Sequence, residues 1–385
     1  MNVAIYDRVC DRQLLALLRF SMGVSAEFGL KPTATEWATL YEEAARHSLL
    51  GVIFDGVNRL RGDYRPPLEL AMQWASDAES LREVNERFNA EAARLTRLFE
   101  GEGHRTAILK GQANALLYPN PLSRQPGDID IWVSGGQQKV VDMLRRLGMV
   151  NDGSDMCYHH IQLEPTGTGI EVEVHFLPSS GHNDQRCNQR LQSFLASELE
   201  HQSTMVAEGF RIPSMRYALV MQMAHIRHHL RSEGVGLRQL TDYWLLLRHS
   251  SSEERTDVAG RLQELGLLTM GRSLMWVLQE IFGSADGHSD WLLPVAADAK
   301  KGRWLLQQVF RTGNFGHHDR EQQPTLVRDV ARKKLQLWRL AWFEPEFVGA
   351  MMRAECDYWW CILRKMPQRI SHRSLSLRDH RDAWG

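Results

Sequence analysis

The sequence predicts an α+β protein in which a small unit of short strands and helices sits between two helical regions. Three observations carry this. Apolar residues recur at helical spacing over most of 1–103 and again over most of 181–385, as in "LELAMQWASDAESLREVNERFNAEAARLTRLFEGEG" and "RYALVMQMAHIRHHLRSEG". The texture changes at 104, where short β-like runs alternate with Gly- and Pro-containing loops. Two of those runs, "DIDIWV" and "IEVEVHF", alternate apolar and acidic residues with period 2. The boundaries drawn from these changes are 1–103, 104–180 and 181–385.

In chain order, "DRQLLALLRFSMG" reads as an amphipathic helix. "TATEWATLYEEAARHSLLGVIFDGVNRL" opens on Thr33-x-x-Glu36, a capping-box pattern, and continues at helical spacing. The run from 68 is a long helix or a pair, stopped near Gly101 and Gly103. "HRTAILKG" is a first strand ending in Lys-Gly, "QANALLY" one or two helical turns, and "PNPLSRQPG" a loop. "DIDIWV" is the second strand and "GQQKVVDMLRRLGMV" an amphipathic helix. "YHHIQLE" and "IEVEVHF" are two further strands, and from about 186 the chain reads as helical.

The 385 residues carry 46 Lys and Arg against 47 Asp and Glu, a net charge of −1, so no global field favours a long nucleic acid or an anionic membrane as partner. No run of about 20 apolar residues predicts a transmembrane helix. Charges interrupt the first 20 residues before an apolar core develops, which does not match a secretory signal. Five cysteines at 10, 157, 187, 356 and 361 have neither CxxC nor zinc spacing and fit reduced thiols in a cytoplasmic protein. The twelve tryptophans are expected as core anchors, and the basic–aromatic segments "RKKLQLWRLAWF" and "DYWWCILRKM" as helices with snorkelling Lys and Arg.

The chemistry concentrates in the middle unit. On a strand, Asp128 and Asp130 point the same way, about 6.5–7 Å apart along the chain. Adjacent carboxylates repel, and a hard divalent cation relieves this through oxygen ligands. A salt bridge to Arg124 or Lys110 would do so without a metal. Glu171, Glu173 and His175 share one face of the later strand. If the two strands are neighbours, a third carboxylate reaches the same place, the layout that holds two metal ions for phosphoryl transfer. Lys110 supplies a point charge, Gly111 close backbone approach, Gln112 begins a turn that could present a helix N-terminus to an anion, and Arg124 could grip phosphate bidentately.

"ILKGQANALLYPNPLSRQPGDIDIWV" followed by "IEVEVHF" resembles the nucleotidyltransferase superfamily, and more closely the bacterial family of uncharacterised nucleotidyltransferases. The resemblance is close over 107–176. It is looser over 35–250, through "WATLYEEAARHSLLGVIF" and "GVGLRQLTDYWLLL". It implies a nucleotidyltransferase-type mixed sheet, Mg²⁺ or Mn²⁺, a nucleoside triphosphate such as ATP, and transfer of a nucleoside monophosphate to an acceptor. By motif position Asp128, Asp130 and Glu173 would hold metal, while Lys110, Gly111, Gln112 and Arg124 would handle phosphate. The superfamily's Gly-Ser is Gly111-Gln112 here, and the loop to Asp128 is longer than in minimal members.

Alternation alone does not separate Glu171 from Glu173. His175 is a scaffold residue or orients Glu173 or the nucleotide, and Tyr118 packs or stacks on a base. His225 and His229 have a ligand spacing on a helix but lack the HExxH glutamate, which favours structural or acceptor-facing roles. Arg238 and Asp242 are spaced as an ordinary helix ion pair, or as a rim of the cleft. The expected activity is metal-dependent transfer to a hydroxyl acceptor (a small molecule, peptide or protein) with release of pyrophosphate. The alternatives are a nucleotide-sensing or antitoxin-like binding module on the same fold, and a metal-dependent phosphohydrolase.

Overall fold

A computed structural model describes residues 8–164, 167, 169–232, 234–283, 289–313, 339–350, 352, 353 and 356. The first helix, α1 (Val9–Ser21), buries Leu14, Leu15, Leu17 and Leu18. Helix α2 (Ala34–Arg46) starts at the expected capping box: the Glu36 N–H donates to Thr33 Oγ1 at 3.3 Å and the Thr33 N–H to Glu36 Oε2 at 2.7 Å. The apolar pattern runs on, but the helix does not. The chain breaks at Ser48, with φ of 55°, and restarts as α3 (Leu50–Val57). The cause is tertiary: at the break, buried His47 turns its Nδ1 to accept the Leu237 N–H at 3.3 Å, at the start of another helix.

Helix α4 (Leu68–Gly101) is one helix of 34 residues serving two neighbours. Near its start the Trp74 indole N–H donates to Leu50 O at 2.9 Å, tying it to α3. Its second half buries Phe88, Ala92, Leu95 and Phe99 against the sheet. The helical region and the sheet unit therefore share a core across residue 103.

The sheet comprises β1 (Thr106–Ile108), β2 (Ile129–Val133), β3 (His160–Gln162) and β4 (Val172–His175) in the order β1-β2-β4-β3. The central pair β2/β4 is parallel and both outer pairings are antiparallel, so the sheet is mixed. Helices α5 (Gln112–Ala115) and α6 (Gly136–Arg146) connect its strands. One face is apolar. Ile129, Ile131, Val133, Ile161, Val172 and Val174 pack on α4 and on Val140, Val141, Met143 and Leu144 of α6. The other face carries Asp130, Glu173, His175 and His160, with Trp132 and Ala107 joining a second, larger core among the helices.

That larger core is built by α1–α3 with α7 (Gln185–Gln202), α8 (Met215–Ser232), α9 (Leu237–His249), α10 (Ser252–Arg261), α11 (Leu268–Phe282) and α12 (Ala299–Thr312). Trp37, Trp74, Trp132, Trp244 and Trp291 are buried, as expected for anchors. The stretch after 186 is not wholly helical. A hairpin of two two-residue strands, β5 (Thr204–Met205) and β6 (Arg211–Ile212), follows α7, and Phe210 fills the sheet core beside it. Of the basic–aromatic segments, 332–338 and 357–366 lie outside the described residues. Trp342 packs edge-on against Trp304 at 5.9 Å, with the Lys300 ammonium over its ring at 5.5 Å. Among the described residues no helix is long and apolar enough to cross a membrane.

The loop entering β2 is held by close packing. A Cβ on Gly51 of α3 would lie 2.5 Å from Ser123 O, beside Arg124. Gly51→Ala is therefore expected to push this loop away and to cost about 1–3 kcal/mol, the usual penalty of overpacking. Chemical denaturation measures it, and an unchanged midpoint would mean that α3 does not brace the loop.

Candidate active site

Strand pairing assembles the site. Parallel register sets Asp130 opposite Glu173 and Trp132 opposite His175, and antiparallel register sets His160 opposite His175. Directly paired residues share a face, so Asp130, Glu173, His175 and His160 all project to the same side. Asp128, just before β2, completes the group. One oxygen each from Asp128, Asp130 and Glu173 lie within 4.8 Å of one another.

The side chains interlock. The Lys110 ammonium is 3.1 Å from Asp130 Oδ2 and 3.7 Å from Asp128 Oδ1. His175 Nε2 is 2.9 Å from Asp130 Oδ1 and 3.4 Å from Glu173 Oε2. His160 Nδ1 lies 3.2 Å from the same Glu173 oxygen. Burial pulls the Lys110 ammonium down, but the charges of Asp128, Asp130 and Glu173 outweigh it and raise Lys110 above its ordinary value. Burial likewise lowers His175, yet the hydrogen bonds and charges of Asp130 and Glu173 raise it to about 9. For Glu173 burial acts upward, and His175 and His160 draw it below the usual carboxylate range. His159, behind His160, is pushed down to about 2 by burial and by the neighbouring cations, so its ring is neutral.

This donor set fits a hard divalent cation. Three carboxylates converge, and the buried Asp130 Oδ2 makes no hydrogen bond, its neighbour being the Lys110 charge. Glu171 and Glu173, indistinguishable by alternation, separate in space. Glu173 is in register with Asp130, while Glu171 is exposed, one pair further along.

The expected phosphate donors are placed less simply. Gly111 has φ of 58° and its Cα lies against the Asp128 backbone, where a Cβ would be 3.5 Å from Asp128 O. Helix α5 has only four residues, too few for its N-terminus to present an aligned dipole. Gln112 turns away, its amide donating to Asn89 Oδ1 of α4 at 2.7 Å. Arg124 is taken up by Asp242 of α9: Nε donates to Oδ1 at 2.8 Å and Nη2 to Oδ2 at 2.7 Å, with both side chains buried. Tyr118 donates its hydroxyl to the same Asp242 Oδ1 at 2.7 Å, so it is a buried polar anchor.

The helical spacing of Arg238 and Asp242 suggested a mutual ion pair. Instead Arg124 and Tyr118 hold the Asp242 carboxylate, and Arg238 Nη1 donates to Gln125 O at 2.8 Å. Burial and the Arg124 charge pull Arg238 down to about 10. His225 packs its ring 4.2 Å from that of His229, and burial holds it well below its ordinary value. Among the described residues neither histidine belongs to a group of three or more convergent metal ligands.

Two features escaped the sequence. Asn85, fully buried on α4, donates to Leu122 O at 2.8 Å and to Arg124 O at 2.9 Å, fastening the loop into β2. A lone Asn on an amphipathic helix gives no sign of this. The run Cys157-Tyr158-His159-His160 brings ligand-type side chains beside Glu173, a density of such residues visible in the sequence.

Two outcomes follow. Arg124→Ala leaves Asp242 buried without its main partner and is expected to cost about 3–5 kcal/mol in a denaturation experiment. A loss below 1 kcal/mol would show that solvent replaces the guanidinium. The pairing of His175 adds stability to the metal-free protein that is fully present below about 6.5, its unfolded value, and is lost as pH rises through about 9. The Tm difference between the wild type and His175→Gln in chelator should thus shrink across that window. A difference that widened with pH would reject the arrangement.

No curated protein matches the chain. A crystal structure of an antigenic nucleotidyltransferase-like protein from Paracoccidioides brasiliensis aligns with 50% of this chain and 91% of its own, at 16% identity and a TM-score of 0.34, too weak a likeness to bear on fold or site. Residues 33–283, more than half of the chain and all of the sheet, match the family described as uncharacterised nucleotidyltransferase, and the chain belongs to that family.

Proposed function

We propose that this protein transfers a nucleoside monophosphate from a nucleoside triphosphate, such as ATP, to a hydroxyl of a small molecule, peptide or protein. The observation that carries the reading is the convergence of Asp128, Asp130 and Glu173 on one face of the sheet, beside the Lys110 ammonium. The three carboxylates would hold Mg²⁺ or Mn²⁺, which when bound polarises the phosphate oxygens and lowers the pKa of the acceptor hydroxyl.

The chain's own residues supply the rest. Lys110 reaches from the turn after β1 and provides positive charge for the β- and γ-phosphates. Gly111 lets the backbone approach without a Cβ. The acceptor oxygen attacks the α-phosphorus, the bond to the β-phosphate oxygen breaks, and pyrophosphate departs. The hydroxyl proton passes to a carboxylate oxygen of the triad. His175 holds Asp130 and Glu173 at fixed orientation, which limits reorganisation during the reaction. Arg124 acts at one remove, positioning the β2 loop through Asp242.

The binding-module reading draws support from the commitment of Arg124 to Asp242 and from the shortness of α5, which leave Lys110 as the main donor to phosphate. One experiment separates the readings: α-labelled nucleoside triphosphates are incubated with Mg²⁺, the protein and cell extract, and products and pyrophosphate are followed. Transfer predicts a labelled acceptor and stoichiometric pyrophosphate. Asp130→Asn and Glu173→Gln should each lower the rate by about 10²–10³-fold. Mg²⁺-dependent binding without product would favour the module, and orthophosphate release without an acceptor a phosphohydrolase. Turnover unchanged in Asp128→Asn with Asp130→Asn would end the proposal.

A further inference from the structure

Next to the carboxylates lies a second group of different chemistry. Residues 156–161 form a tight hairpin: Met156 bridges Ile161, and the Cys157 N–H donates to His160 O at 3.0 Å. Cys157 and His160 are therefore a closing pair across a two-residue turn, with side chains on one face, and Tyr158 and His159 form the tip. The tip is fixed from behind. The N–H groups of Phe176 and Leu177 both donate to His159 O, at 3.0 and 3.2 Å. The Tyr158 hydroxyl accepts from Asn188 Nδ2 at 3.2 Å.

This backbone gathers three borderline-to-soft donors. Cys157 Sγ is 3.4 Å from His159 Nδ1, and His159 Nε2 is 3.2 Å from His160 Nδ1. With one donor atom taken from each residue, the three lie within 4.8 Å of one another. Donors of a tetrahedral Zn²⁺ with these atom types stand roughly 3.3–3.6 Å apart, given its bond lengths. The two contacts use opposite nitrogens of His159, so ligation selects one of them and asks a ring rotation of its neighbour. Buried His159 and half-buried Cys157 and His160 leave the sulfur side open to entry.

We propose that Cys157, His159 and His160 form a binding site for a borderline divalent transition metal, with Zn²⁺ the best match, separate from the carboxylate site. A thiolate and two imidazoles select such an ion over Mg²⁺, which takes oxygen. Three protein ligands leave a fourth position, as in zinc sites that hold an exchangeable ligand. Glu173 adjoins the group, with Oε2 3.2 Å from His160 Nδ1, and His160, Glu173 and His175 are themselves a convergent group. Glu173 thus stands between a hard-cation site and a soft one, and occupancy of one alters the charge felt at the other. The inference does not rest on nucleotidyl transfer, because metal uptake is measured without turnover.

The test uses the full chain, stripped with chelator, kept reduced and supplied with excess Mg²⁺ to fill the carboxylates. Titration with Co²⁺ should give one equivalent bound with a thiolate-to-metal charge-transfer band and the intense visible bands of four-coordinate Co²⁺, both displaced by Zn²⁺. Cys157→Ala should abolish the charge-transfer band. His159→Ala should weaken binding by more than the roughly 10–100-fold that loss of an outer-sphere partner costs. Asp128→Asn should leave the band in place. A band that survives Cys157→Ala, absence of any thiolate band, or Co²⁺ uptake abolished by Asp128→Asn would each overturn the proposal.

Discussion

Asp130 is a carboxyl group with 2% of its surface exposed, set in the middle of a sheet whose opposite face packs isoleucines and valines into an apolar core. A buried carboxyl group is costly unless donors or cations meet it. Lys110 and His175 do so from two directions, and His175 in turn reaches Glu173. Much of the architecture serves this requirement. The Lys-Gly turn has to end β1 beside β2, and β4 has to lie parallel to β2 in the register that sets Glu173 opposite Asp130. A slip of one residue in that pairing would turn the acidic side chains into the apolar core on α4 and α6.

A second buried ion pair extends the site into the helices. Arg124 and Asp242 join the loop before β2 to α9, and Tyr118 adds a neutral hydrogen bond to the same carboxylate. Asn85 grips that loop from α4, and Gly51 lets α3 pack against it. The helices thus fix the segment that delivers Asp128. The metal-bearing face of the sheet, as proposed, also looks towards the helical core, through Trp132 and Ala107.

How much of this was legible varied with the range of the interaction. The strands, the same-face placement of Asp128 and Asp130, and the later acidic strand were legible because period-2 alternation is local. The capping box at Thr33 was legible for the same reason. The break at Ser48 was not, since His47 and Leu237 are far apart in the chain and no Gly or Pro marks the turn. The β5–β6 hairpin escaped because strands of two residues carry no periodicity. Arg238 and Asp242 had the spacing of a helix pair, but spacing states only which partners are within reach. Arg124 reached Asp242 with a bidentate fork and took the carboxylate.

By itself the sequence determined which chemical groups the protein has and which face of each strand they occupy: two aspartates, a lysine-glycine turn, and an acidic strand ending in histidine. Those follow from covalent order and backbone geometry, which act over a few residues. Tertiary structure alone decided between alternatives that local rules leave equal. Strand register set Glu173, and not Glu171, opposite Asp130, and burial turned Arg124 inward to Asp242. A tight hairpin drew Cys157, His159 and His160 to the edge of the carboxylates. The first two depend on contacts between segments distant in sequence, where desolvation and pairing of charge outweigh any preference a single stretch can express.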